Sequence, residues 1–180
     1  MKYYHYKNQE SYTNHHHKKC DPKININVNC SDNGDHDETI AFRAVNNLQQ
    51  RIDEIDVFEK VLFQNEQFDI GNVYNSNNST FVPREDGVYY VAGTVSFLPD
   101  STTEDYRVRV EIRVNGFSVA ADNDYWGEIN QQFVYVNAIN VSTILQLEAG
   151  DLVEVFITST TPGTILINEP SFSTRFEAKA

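Results

Sequence analysis

The sequence predicts an all-β fold, a sandwich or barrel, and three observations carry that expectation. Aromatic residues are abundant, with 11 Phe, 10 Tyr and one Trp among 180 residues. Alongside many Val and Ile they suit the pleated, half-buried surface of a sheet. From residue 61 onward the hydrophobic period is two, not 3.6. Turn signals built from Asn, Asp, Gly and Pro recur at regular spacing, which gives roughly eight to ten short strands. No strand–helix–strand rhythm occurs, so Rossmann and TIM-barrel architectures are excluded.

Residues 1–38 read as a flexible polar arm that mixes Tyr with His, Lys and Asn and has no period able to build a buried face. Within it, Lys23–Asn29 alternates strictly and suggests an edge strand, or one given to a neighbouring subunit. Residues 39–180 form the folded domain. Ala41–Val45 is its first strand. In Asn46–Lys60, Leu48, Ile52, Ile55 and Phe58 fall at helical spacing, so a short helix and an irregular excursion both fit.

Strands then follow at Val61–Asn65, at Phe68–Ile70 leading into Tyr74, and at Thr80–Val82. Pro83–Gly87 turns the chain into a long strand over Val88–Phe97, where Gly93 marks a bulge or a close backbone approach. Arg107–Val114 alternates charged and apolar residues without a break, as in a strand with one face in a core. Asn115-Gly116 suits a two-residue type I′ hairpin turn, with Phe117–Ala121 as the return strand. Phe133–Leu147 puts Ile139, Val141, Thr143, Leu145 and Leu147 on one side, Leu152–Ile157 follows a turn, and Phe172–Ala178 closes the domain.

The formal net charge is −12, of which residues 41–180 carry −11. Such a surface repels phosphate backbones, so nucleic acid is not an expected partner. No stretch approaches the ~20 apolar residues of a membrane span, so no membrane insertion is expected. The first twenty residues lack an apolar h-region, which argues against a secretory signal.

All five histidines and both cysteines precede residue 37. The folded domain therefore has no member of a Ser-His-Asp or Cys-His arrangement, and an enzyme is not expected. Cys20 and Cys30 are either incidental thiols, a small disulfide loop or inter-subunit crosslinks, and with His15, His16 and His17 they match no tight zinc spacing. Asp122, Asp124 and Glu128 place three hard oxygen ligands within seven residues. That set suits Ca²⁺, although a solvated acidic loop is the plainer reading. Tyr125 and Trp126 are either an anchor in the core or subunit contact, or an exposed platform for a sugar or peptide. Arg107, Arg109 and Arg113 are expected on the solvent face, to pair with acids such as Glu111 or Glu154 if subunits meet there.

The order and spacing of several segments resemble the C1q/TNF-like superfamily, particularly C1q-like domains of spore-forming bacteria. They are Ala41-Phe42, Val61–Asn65, Phe68-Asp69, Ser79–Pro83, Gly87–Tyr90, Arg109–Gly116, Leu145–Asp151 and Phe172–Phe176. The resemblance covers residues 41–180. It implies a two-sheet jelly-roll sandwich of about ten strands that packs as a homotrimer. Relatives commonly carry this head on a collagen-like stalk, but no Gly-X-Y run is present here. Phe42, Phe63, Tyr89, Tyr135, Phe156 and Phe176 are expected to divide between monomer core and subunit contact.

Two functions follow as expectations. The first is a non-enzymatic trimeric assembly module, of a spore coat or exosporium surface by the resemblance, or else a cytoplasmic one. The second is a recognition module that binds a glycan or protein ligand through its loops with the help of Ca²⁺. Neither requires a cofactor.

Overall fold

The computed structural model describes residues 39–127, 136–171 and 173–180, all within the unit Asp37–Ala180. The Lys23–Asn29 strand, Cys20, Cys30, Glu128, Tyr135 and Phe172 lie outside the described residues. Within them the strands are β1 (Ala41–Val45), β2 (Gln50–Ile52), β3 (Glu59–Lys60), β4 (Asn65–Ile70), β5 (Tyr74–Asn75), β6 (Thr80–Phe81) and β7 (Gly87–Pro99). They continue with β8 (Tyr106–Val114), β9 (Phe117–Trp126), β10 (Asn137–Leu147), β11 (Val153–Ser159), β12 (Gly163–Ile165) and β13 (Arg175–Lys179).

Two antiparallel sheets result. The first runs β2-β12-β7-β13-β1-β4, with β10 also paired to β7. The second runs β5-β6-β11-β8-β9, with β3 also paired to β11. The period of two decides which residues face inward. On β8 the even positions Val108, Val110 and Ile112 are fully buried, and on β10 Ile139, Val141 and Leu147 are buried while Ala138, Asn140 and Ser142 are exposed.

Aromatic rings from both sheets meet at one end of the core. Phe42 of β1 stacks on Tyr74 of β5 with centroids 4.5 Å apart, and Phe81 of β6 and Phe176 of β13 lie at 5.1 and 5.0 Å. Tyr89 of β7 meets Phe81 edge-on at 5.6 Å. Ring pairs of this kind add about 0.5–1.5 kcal/mol each beyond their burial. The Tyr74 hydroxyl donates to the Phe63 carbonyl at 2.8 Å, and burial holds its ionisation above the usual tyrosine range.

Three local details show why elements form where they do. Asn115 and Gly116 take φ of 52° and 84°, the double left-handed pair of a type I′ turn, and Val114 faces Phe117 across it. The expected strand over Val61–Asn65 is only half realised. Val61 and Phe63 point into the core, yet the Leu62 and Phe63 amides donate to Gln50 Oε1 and Ser79 Oγ, so strand pairing starts at Asn65. Asn46–Lys60 is the irregular excursion, not a helix. Ile52 is buried through the pairing of β2 with β12, Leu48 and Ile55 face solvent and Phe58 lies against Arg113, so their helical spacing never becomes one face.

Gly93 lies where the sheets approach each other, and the β7–β10 register runs through it without a bulge. A Cβ at this position would sit 3.0 Å from Val155 Cγ2 on the facing sheet. Gly93→Ala is therefore expected to cost about 1–3 kcal/mol by overpacking. Denaturant titration checks this, and Val155→Ala in the same background should recover part of the loss. Simple additivity of the two substitutions would show that the contact is not the cause.

Candidate functional site

The outward residues of β8 build a connected polar cluster. Glu111 is only 3% exposed although it lies on the outer face. It accepts from Arg109 Nε at 2.7 Å with one oxygen and from Arg113 Nε at 2.9 Å with the other. Arg113 is held between the rings of Phe58 and Phe156, each 4.3 Å from its guanidinium carbon. The loop before β3 thereby covers this part of the second sheet, and Asp56 ties it down again through Arg107 at 3.3 Å. Pairing of the arginines with Glu111 is thus internal to one strand. Glu154 is held by Lys60 at 2.5 Å.

The end of β9 carries a different geometry. Arg107 and Tyr125 are cross-strand partners, as are Tyr106 and Trp126. Neighbours along a strand alternate, so Tyr125 projects from the outer face while Trp126 turns inward against the core. Tyr125 is 72% exposed. An open pocket of about 330 Å³ wraps this strand end, lined by residues 105–107, 125–127 and Thr160. Its wall is fixed by reciprocal bonds. The Arg107 amide donates to Thr160 Oγ1 at 2.9 Å and the Thr160 amide donates to the Arg107 carbonyl at 3.0 Å.

Behind this wall lies a buried polar corner. Burial pushes the Tyr106 hydroxyl up to about 12, the Asp124 charge adds to the shift, and the neighbouring Asn137 amide opposes it. Asn137 is 1% exposed and sits beside the Tyr106 hydroxyl in this corner.

The residues singled out from sequence are distributed as follows. Asp122 and Asp124 pair with Val110 and Val108, so both lie on the inward side of the edge strand β9. Among the described residues no group of three His, Cys, Asp or Glu side chains is placed to hold a metal ion. Phe42, Phe63, Tyr89 and Phe176 are core residues, each 1% exposed or less. Phe156 lies on the outer face of the second sheet beneath Arg113. Sequence reasoning missed Phe58, whose place in a helical spacing hid its role over Arg113.

The outer face of the first sheet carries exposed apolar side chains in register, with no covering element among the described residues. One row crosses five strands: Ile144 faces Tyr90, Tyr90 faces Lys179, Lys179 faces Ala41 and Ala41 faces Ile70. Ile144 is 70% exposed, and Tyr90, Ile70, Val88 and Phe68 are exposed beside it.

No family model matches the sequence, and no curated protein sequence does. Solved structures do match. The globular domain of zebrafish complement 1qA protein is 15% identical, with 78% of this chain and 93% of that one covered and a TM-score of 0.48. The Eiger TNF of S. frugiperda is 13% identical over 79% and 92%, with a TM-score of 0.54. Murine APRIL is 13% identical over 78% and 98%, with a TM-score of 0.57. The chain is therefore an all-β two-sheet sandwich resembling the C1q/TNF-like jelly roll, with roughly ten core strands.

Two measurements check the site. Glu111→Gln removes the charge that both arginines share, and a loss of about 1–3 kcal/mol is expected in denaturant titration. A neutral result would make the cluster ornamental. Tyr106 should also shape the alkaline limit. Its folded pKa is about 12 against an ordinary value of 10, so the proton is bound more tightly in the fold. The stability this confers is whole below pH 10 and is lost as pH rises from 10 towards 12. Tyr106→Phe should flatten that part of the stability profile, and an unaltered profile would count against the assignment.

Proposed function

We propose that this domain is a non-enzymatic, self-associating recognition module. Its copies pack as a homotrimer through the outer face of the first sheet, and the end of the second sheet is left to bind a protein or glycan ligand. The observation that carries the reading is the register row from Ile144 through Tyr90 to Ile70, exposed on a face with no covering element among the described residues. Contiguous exposed apolar surface of this kind marks interaction sites in soluble proteins.

Charge favours a second copy as the occupant. The domain is strongly acidic, yet Arg43, Arg175 and Lys179 surround Glu177 on this face. Copies that meet there bring together a part of their surfaces where three basic side chains accompany Glu177, which limits like-charge repulsion. The second sheet does not offer such a face, because Phe58, Arg113 and Glu111 already close part of it.

Chemistry on bound substrate has no support. Residues 37–180 hold no histidine and no cysteine, so nucleophile–base pairs built on either are excluded. A Ca²⁺-assisted form of the recognition reading would use Asp122 and Asp124, which share one side of β9, together with Glu128. Calorimetric titration of chelator-treated protein with Ca²⁺ tests that form. A place in a spore surface layer belongs to the same proposal and rests on the sequence resemblance. Loss of surface incorporation when the trimer face is disrupted is the expected sign of it.

Light scattering at micromolar concentration should return about three times the 20.6 kDa chain mass. Tyr90→Asp combined with Ile144→Asp should yield folded monomers, because both side chains are exposed within one subunit. A wild-type monomer at that concentration would end the trimer reading.

A further inference from the structure

We infer that the pocket at the end of β9 is a binding site for a neutral sugar ring. Tyr125 provides the stacking face, and Arg107, Asp105 and Thr160 border the space available to hydroxyl groups. The inference rests on the recognition reading above and specifies its ligand.

The chemistry of the lining selects the ligand class. Tyr125 is a large ring 72% exposed on an edge strand, where solvation of an apolar face is unfavourable unless something covers it. The C–H hydrogens on the flatter face of a pyranose carry partial positive charge and meet the negative face of such a ring. Beside it the pocket holds one guanidinium, Arg107, and one carboxylate, Asp105. Opposite charges in one small space disfavour a net anion or cation, but the guanidinium is planar and multidentate, which suits the neighbouring hydroxyls of a sugar. Arg107 keeps capacity for this. It holds Asp56 through Nη2 alone, at 3.3 Å, and its side chain is 33% exposed.

Size and rigidity agree with that class. A volume of about 330 Å³ lies at the small end of ligand pockets, which span roughly 300–1,000 Å³, and suits one ring better than an extended chain. The reciprocal Arg107–Thr160 bonds and the core packing of Trp126 fix the walls before any ligand arrives, which limits the ordering cost of binding. Among the described residues of the lining Asp105 is the one carboxylate, which is too few for a metal ion. Nucleic acid is opposed by the net charge of −12.

Saturation-transfer NMR on the full chain with the methyl glycosides of glucose, galactose, mannose and N-acetylglucosamine tests the inference, with methyl glucuronide as an acidic comparison. At least one neutral glycoside should receive saturation, with an affinity on the order of 1 mM as suits a single shallow site. Tyr125→Ala should weaken it at least tenfold, Tyr125→Phe should retain it, and Phe117→Ala at the opposite end of β9 should leave it unchanged. Silence from every neutral glycoside, binding of the glucuronide alone, or full binding by Tyr125→Ala would each overturn the site. Light scattering on the same samples separates the two readings. A trimer that binds no glycoside removes this inference alone, whereas a monomer that binds one removes only the assembly.

Discussion

The contact on which the sandwich depends is the stack of Phe42 on Tyr74. It joins β1, the strand beside the edge of the first sheet, to the edge of the second, and Phe81, Phe176, Phe63 and Tyr89 are arranged around it. Tyr74 is also the ring whose hydroxyl satisfies the Phe63 carbonyl, in a stretch where ladder bonds are missing. The Asp69 carboxylate accepts from the amides of Val73 and Tyr74, each at 2.9 Å, and so aims the ring before it packs. Short strands such as β5 and β6, of two residues each, have little intrinsic stability. Here they are held by what their aromatic side chains bury, not by their own hydrogen bonds.

The two sheets treat their outer faces in opposite ways. The second sheet covers part of its face with the loop before β3, using a buried carboxylate shared by two arginines and a guanidinium between two rings. Such a cluster costs desolvation, which the double pairing of Glu111 offsets. Among the described residues nothing covers the face of the first sheet, which mixes apolar residues with the Arg43, Glu177 and Arg175 ladder. The domain thus has a finished side and an unfinished one. That asymmetry is the physical basis for assigning assembly to the first sheet and ligand contact to the free end of the second.

Much of this was legible in the residues. Strict alternation in Arg107–Val114 announced β8, and Asn115-Gly116 announced its turn, because both signals are local and depend on backbone geometry alone. What stayed hidden depended on partners distant in sequence. Ile52 sits in a helical spacing, and only its pairing opposite Gly163 places it in a strand. Glu111 reads as a solvated charge until Phe58 and Phe156 close over its partner Arg113. The pocket was half visible: Tyr125 and Trp126 stood out as aromatics, but Thr160 joins them through a turn more than thirty residues away, which periodicity cannot reveal. Glu128 and Tyr135 fall outside the described residues.

The strand order of the first sheet also governs how the chain reaches this state. β13, the last strand described, sits between β7 and β1 in the interior of the sheet. Until residues 175–179 arrive, β1 and β7 have no common neighbour and each exposes an unpaired edge. Closure of the first sheet therefore waits on contacts of very long sequence separation. Pairing of this kind must meet its loop-closure entropy before any ladder bond forms, a layout that in general goes with slow folding.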